Sequence, residues 1–160
     1  MGGIIMNKYD EAVKLLDEKF GNKDVYIALA TIGQSASPEG NSCPVVRIVD
    51  AFYEDGAFYT VTYATSNKMQ EIAKNPQVAL CIVIDIFTAS GIGENLGWVC
   101  DEKNAEIMAK ARKIFAEWYY EANNEEDQNT CLLRIKLTKG VWNNAHEGIR
   151  SEIDFVNKMA

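Results

Sequence analysis

Within one stretch, Pro44 to Pro76, stand four side chains able to hold an anion: Arg47, Thr62, Ser66 and Lys68. Arginine presents a planar fork of N–H donors that matches a phosphate, and lysine adds a compact point charge. The two hydroxyls can donate to the remaining oxygens. A phosphate monoester carries nearly two negative charges near neutrality, so a pair of cations is a sensible complement. Arg47 lies inside an apolar, β-branched run, Val45 to Val49, which reads as a strand. Lys68 falls at the start of a short helical pattern, where free backbone N–H groups and the helix dipole also favour an anion. The plain alternatives are an edge-strand Arg47 paired with Asp50 or Glu54, and a solvated Lys68 in a first turn.

Other chemistry is poorly provided for. The chain has one histidine, His146, so neither a triad nor a histidine-rich metal site can be assembled. Ser90 lacks the glycine frame of a nucleophile elbow. Glu125, Glu126 and Asp127 sit in a polar run and read as solvated charge. The four cysteines, Cys43, Cys81, Cys100 and Cys131, form no C-x-x-C pair and read as buried free thiols, which suits a reducing compartment. Gly91-Ile92-Gly93 lacks the Lys-Ser/Thr ending of a phosphate loop and reads as a bulge or corner. A net charge of −7 argues against nucleic acid or an anionic membrane as the partner. Met1 to Met6 lacks the features of a signal peptide, Met6 stands where a myristoylation motif wants Ser or Thr, and no apolar run is long enough to span a membrane. A cytoplasmic protein is expected, with any redox chemistry carried by a cofactor.

The elements follow from periodicity. Tyr9, Val13, Leu16 and Phe20 recur at helical spacing, with Asn7 or Asp10 as cap and Gly21 as stop. Val25 to Thr31 is a strand, followed by a Gly, Ser and Pro-rich loop. Asp55-Gly56 marks a hairpin turn between the Arg47 strand and Phe58 to Tyr63. Asn67 with Gln70 suggests a capping box for a helix over about 68–74, ended by Asn75-Pro76. Val78 to Ile84 reads as a strand buried on both faces, and Phe87 to Ser90 and Leu96 to Cys100 as two further strands. Asp101 opens a long helix over about 102–122, whose Trp118, Tyr119 and Tyr120 suit a core or an interface. Leu133, Ile135 and Leu137 alternate as a strand, Gly140 to Trp142 continues toward a last one, and Ser151 and Asp154 suggest a closing helix. The length of 160 residues suits a single domain, residues 1–160. Six or seven strands with mostly short links imply a mainly β (α+β) fold, an antiparallel barrel with peripheral helices.

The ordered set Pro44-x-x-Arg47-x-Val49, Asp55-Gly56, Thr62, Ser66-Asn67-Lys68, Asn75-Pro76 and Val78 to Ile84 resembles the pyridoxamine 5'-phosphate oxidase-related flavoproteins, the FMN-binding split-barrel family. The resemblance covers most of the chain in element order. It implies a six-stranded split barrel, working as a homodimer with FMN at the interface and a small-molecule substrate. It implies that Arg47, Lys68 and Ser66, with Asn67 between them, hold the FMN phosphate. The backbone of Ile48 and Val49, and Val61 with Thr62, would line the ring and ribityl chain. The last ten residues, SEIDFVNKMA, do not match the basic segment with which the oxidases bind their substrate, so pyridoxal phosphate synthesis is not expected. Relatives of this kind also include flavin reductase-like, stress-type, haem and F420 proteins, and haem ligation would fall to His146. The resemblance leaves open an FMN-dependent oxidoreductase or a flavin-binding carrier or sensor, and names no catalytic residue.

Overall fold

Ile27, Leu29 and Thr31 alternate along the first strand and are all buried, while their neighbours Tyr26, Ala28 and Ala30 are not. That period of two sets the inside and the outside of the sheet. In the computed structural model, which describes residues 8–160, α1 (Lys8–Phe20) precedes β1 (Val25–Ala36), β2 (Ser42–Glu54) and β3 (Ala57–Tyr63). Then come α2 (Asn67–Lys74), β4 (Gln77–Ile82) and β5 (Phe87–Trp98). A 3₁₀ turn (Glu102–Asn104) leads to α3 (Ala105–Ile114), α4 (Tyr119–Ala122), β6 (Thr130–Asn144) and β7 (Ile149–Asp154). All named pairings are antiparallel, in the order β3-β2-β1-β4-β5-β6-β7, and β3 also pairs with β6. Six strands therefore close a barrel and β7 extends it. The expected mainly β barrel with peripheral helices is the observed fold. The Asn7 cap and the Met1 to Met6 start lie outside the described residues.

The barrel interior is aromatic at one end: Phe20 stacks on Trp142 with centroids 5.5 Å apart and meets Phe58 and Phe87. A second cluster, Phe52, Val99, Met108, Ala111, Phe115, Tyr119 and Leu132, lies between the outer face of β2, β3 and β6 and the α3–α4 arm.

Several expectations need correction. The expected closing helix is strand β7, because Ile149, Ser151 and Ile153 alternate inward against β6, with Trp142 facing Ser151. The expected long helix is broken: Phe115 and Trp118 leave helical geometry, and their rings pack at 4.8 Å. Asp101 precedes the 3₁₀ turn but makes no side-chain cap. Ser66, not Asn67, is the N-cap residue of α2, and Gln70 bonds the Ala64 carbonyl, so there is no capping box. The two expected strands around Gly91-Ile92-Gly93 are one strand, β5, with its register shifting between Ser90 and Gly91, as a bulge requires. β4 buries only one face; Ala79 is exposed, and Val83 and Ile84 form an exposed turn. Of the cysteines only Cys131 is fully buried, and burial pushes its thiol up to about 11. Glu125 is no free surface charge: it bonds Arg112 at 2.7 Å and Tyr119 at 2.7 Å.

The bulge explains Gly91. A Cβ there would lie 2.7 Å from the Lys136 carbonyl oxygen, which is backbone and cannot swing away. Gly91→Ala should therefore lower unfolding stability by about 1–2 kcal/mol in urea titration, with the fold retained.

Candidate functional site

Strands β2 and β3 begin as a tight hairpin at Asp55-Gly56, where Asp55 and Gly56 both have positive φ. Their pairing runs only from Glu54↔Ala57 to Phe52↔Tyr59. Beyond Phe52 they splay, because β2 follows β1 while β3 follows β6 up to Tyr63↔Thr130. This is the split in the barrel. Two strand edges face each other across it without a ladder, and their backbone groups are open to a ligand. The cleft between them holds about 240 Å³. Ile48, Val49 and Asp50 line one wall, Thr60 to Tyr63 the other, and Lys68 and Trp118 also line it.

The eight residues expected to hold a cofactor divide between this cleft and the layer behind it. Ile48, Val49, Val61, Thr62 and Lys68 line the cleft. Ser66 stands at the start of α2, and its hydroxyl oxygen is buried without a hydrogen-bond partner. Asn67 is exposed in the first turn. Arg47 is inside the barrel wall, where it faces Leu29 across the β1–β2 pair.

Lys68 is not the solvated lysine of the plain alternative. Its ammonium donates to the Thr62 hydroxyl at 2.8 Å. Burial holds its pKa below the ordinary lysine value, and the nearby Arg47 charge acts in the same direction. Its one hydrogen-bond partner is neutral, and the Glu71 charge that acts on it is already paired to Arg47.

Arg47 is ion-paired, but not to Asp50 or Glu54. Its Nη2 meets Glu71 Oε2 at 2.6 Å, and its Nη1 donates to the Thr31 hydroxyl. Thr31 in turn donates to Glu71 at 2.5 Å. Thr31 and Glu71 are only 1% and 5% exposed, so this network fixes the guanidinium in a dry setting. Glu71 reaches it because Met69 and Ile72, on the same helix, sit in the barrel core. Glu54 instead pairs with Lys110 of α3. No sequence signal marks Glu71 as the partner, since the contact joins β2 to α2 across the fold. Arginine has five donors, and three are committed here, since Nη1 also reaches the Val45 carbonyl at 3.4 Å, so two remain for a ligand.

His146 is exposed in the turn before β7, and no group of three or more metal-ligating side chains forms among the described residues. The described helices include none long and apolar enough to cross a membrane.

The pyridoxamine 5'-phosphate oxidase family model matches residues 18–141, most of the chain. The chain belongs to that family. No curated protein matches it significantly. Among solved structures, it is similar to general stress protein 26 from Bacillus anthracis, with TM-score 0.63, 16% identity, and 89% of this chain and 98% of the other covered. A heme binding protein from Mycobacterium smegmatis aligns with TM-score 0.65 at 14% identity, over 94% of this chain and 60% of that one. An F420 reductase aligns with TM-score 0.54 at 16% identity, over 77% and 94%. At these identities the likeness concerns the fold. It agrees with the split barrel and leaves the ligand to be argued from the site.

Proposed function

We propose that this chain binds FMN in the β2–β3 split and acts as an FMN-dependent oxidoreductase on a small molecule. The observation that carries this reading is the anion-seeking set at one end of the cleft: a buried, unpartnered Ser66 hydroxyl at the start of α2, beside a desolvated Lys68 that lines the cleft. A phosphate would supply the missing acceptors, with Arg47 behind it as a preset second cation. The unladdered edges at Ile48, Val49, Val61 and Thr62 would meet the ring and ribityl chain through backbone groups. A bound flavin would supply the electron transfer; the protein would supply position, charge and exclusion of water.

The cleft of one chain, about 240 Å³, is below the roughly 300–1,000 Å³ usual for ligand pockets. A second copy would complete it. The outer face of β1 and β2, with the turn after β4, supports a dimer, because Tyr26, Val46, Ile48, Val83 and Ile84 are exposed there, Ile84 by 91%. A contiguous apolar surface of this kind usually meets a partner. The protein should sediment as a homodimer at micromolar concentration; a monomer would count against a shared site. With FMN bound, NADH or NADPH should reduce the flavin and an added acceptor should reoxidise it through repeated cycles. A flavin that stays oxidised with both donors would favour a carrier or sensor instead.

A further inference from the structure

The split has a closed end and an open end. β2 and β3 are still paired at Phe52↔Tyr59, and both cations lie away from that pair. Arg47 stands five residues back along β2, and Lys68 bonds Thr62, three residues further along β3. At the closed end an aromatic series leads out to the α3–α4 arm. Phe52 stacks on Tyr59 with centroids 5.5 Å apart, Phe115 meets Phe52 edge-on at 5.8 Å, and Trp118 packs on Phe115 at 4.8 Å. Of these four rings, only Trp118 lines the cleft.

The register shows where its indole is held. The indole N–H donates to Asp24 Oδ2 at 2.9 Å. Asp24 immediately precedes Val25, which faces Ala51 across the β1–β2 pair. The bond therefore draws the ring toward the Ala51 end of β2, four residues and about 13 Å of extended strand from Arg47. Covering Phe115 would not by itself require this bond, since an N–H near the surface can be left to water. Here a charged acceptor from the far side of the chain fixes the ring instead. With its N–H spent on Asp24 and part of its ring against Phe115, Trp118 turns apolar ring surface to the cleft.

We infer that Trp118 is the specificity-determining contact for the ring of the bound ligand, and that Asp24 is the positioning residue that holds it there. The inference rests on the flavin reading above and deepens it. A ligand gripped by its phosphate near Arg47 and Lys68 reaches the indole only if a spacer separates phosphate from ring. That spacing suits a planar ring carried on an extended polyol phosphate. A compact ester, whose ring stands one carbon from its phosphate, stops short of Trp118. A planar ring against an indole gains more than its buried area alone, through offset or edge contact.

The test is a fluorescence titration of the full chain with FMN and with riboflavin. Trp118→Leu should weaken both ligands by the same factor, about three- to tenfold, because the lost contact is with the ring they share. Trp118→Phe keeps a ring and should recover most of that loss. Asp24→Ala should weaken both ligands in step, by less than Trp118→Leu. Asp24→Asn keeps an acceptor for the indole N–H and should stay near wild type. A loss confined to FMN, an equal loss in Trp118→Leu and Trp118→Phe, or no loss overturns the inference. The Trp118 indole ¹H–¹⁵N resonance, identified by its absence in Trp118→Phe, should also shift when riboflavin is added to the wild type. An unmoved resonance overturns the inference even where Trp118→Leu fails to fold. Neutral Trp118 variants of a chain that still binds FMN leave the flavin reading standing. A wild type that binds neither flavin sinks both.

Discussion

Arg47→Ala should lower unfolding stability by about 2–4 kcal/mol and weaken FMN binding roughly tenfold to a hundredfold. The stability loss comes from Glu71, not from the arginine itself. Glu71 is buried, and without Arg47 its charge keeps only the Thr31 hydroxyl. Removing one partner of a buried pair leaves an uncompensated ion, and that cost exceeds what the pair contributed. The double variant Arg47→Met with Glu71→Gln removes the stranded charge and should recover most of the stability, as read by urea unfolding. It should not recover FMN affinity, because the second cation is still missing. Wild-type stability in Arg47→Ala would show that Glu71 is not held as described.

Lys68→Met should separate binding from folding more cleanly. The methionine keeps the stem and removes a charge that burial already disfavours, so unfolding stability should change little. FMN affinity should fall roughly tenfold to a hundredfold, the usual range for a hydrogen bond to a charged group. Riboflavin, which lacks the phosphate, should bind both proteins alike. The pH dependence has a definite sign. Because the Lys68 pKa is lowered, the ammonium loses its proton sooner than an ordinary lysine as pH rises, and the cation proposed to hold the phosphate is lost with it. Wild-type affinity should therefore decline toward alkaline pH, and Lys68→Met should be flat over the same interval. An equal loss of riboflavin binding would place Lys68 against the ring instead.

The barrel was legible because strand signals are local. The Asp55-Gly56 turn, the β-branched Arg47 strand and the Asn75-Pro76 stop each act within a few residues, and each stands where its pattern puts it. The order of Arg47, Thr62, Ser66 and Lys68 along the chain was legible for the same reason. What stayed hidden depends on distant contacts. Nothing in the sequence marks Glu71, and only the packing of Met69 and Ile72 carries it to Arg47. Trp118 continued a helical pattern until its indole met Asp24, far away in sequence. The last strand reads as a helix in the sequence because Arg150, Ser151, Glu152 and Asp154 leave only Ile149 and Ile153 as apolar markers of its alternation. Its register against β6 is what orders it.

The most direct test is an FMN titration of the purified full chain, followed by flavin fluorescence and absorption, in parallel with Arg47→Ala and Lys68→Met. The β2–β3 site predicts saturable binding of one FMN per chain, weakened in both variants. No FMN binding by the wild-type protein, or binding that both variants leave unchanged, would contradict it.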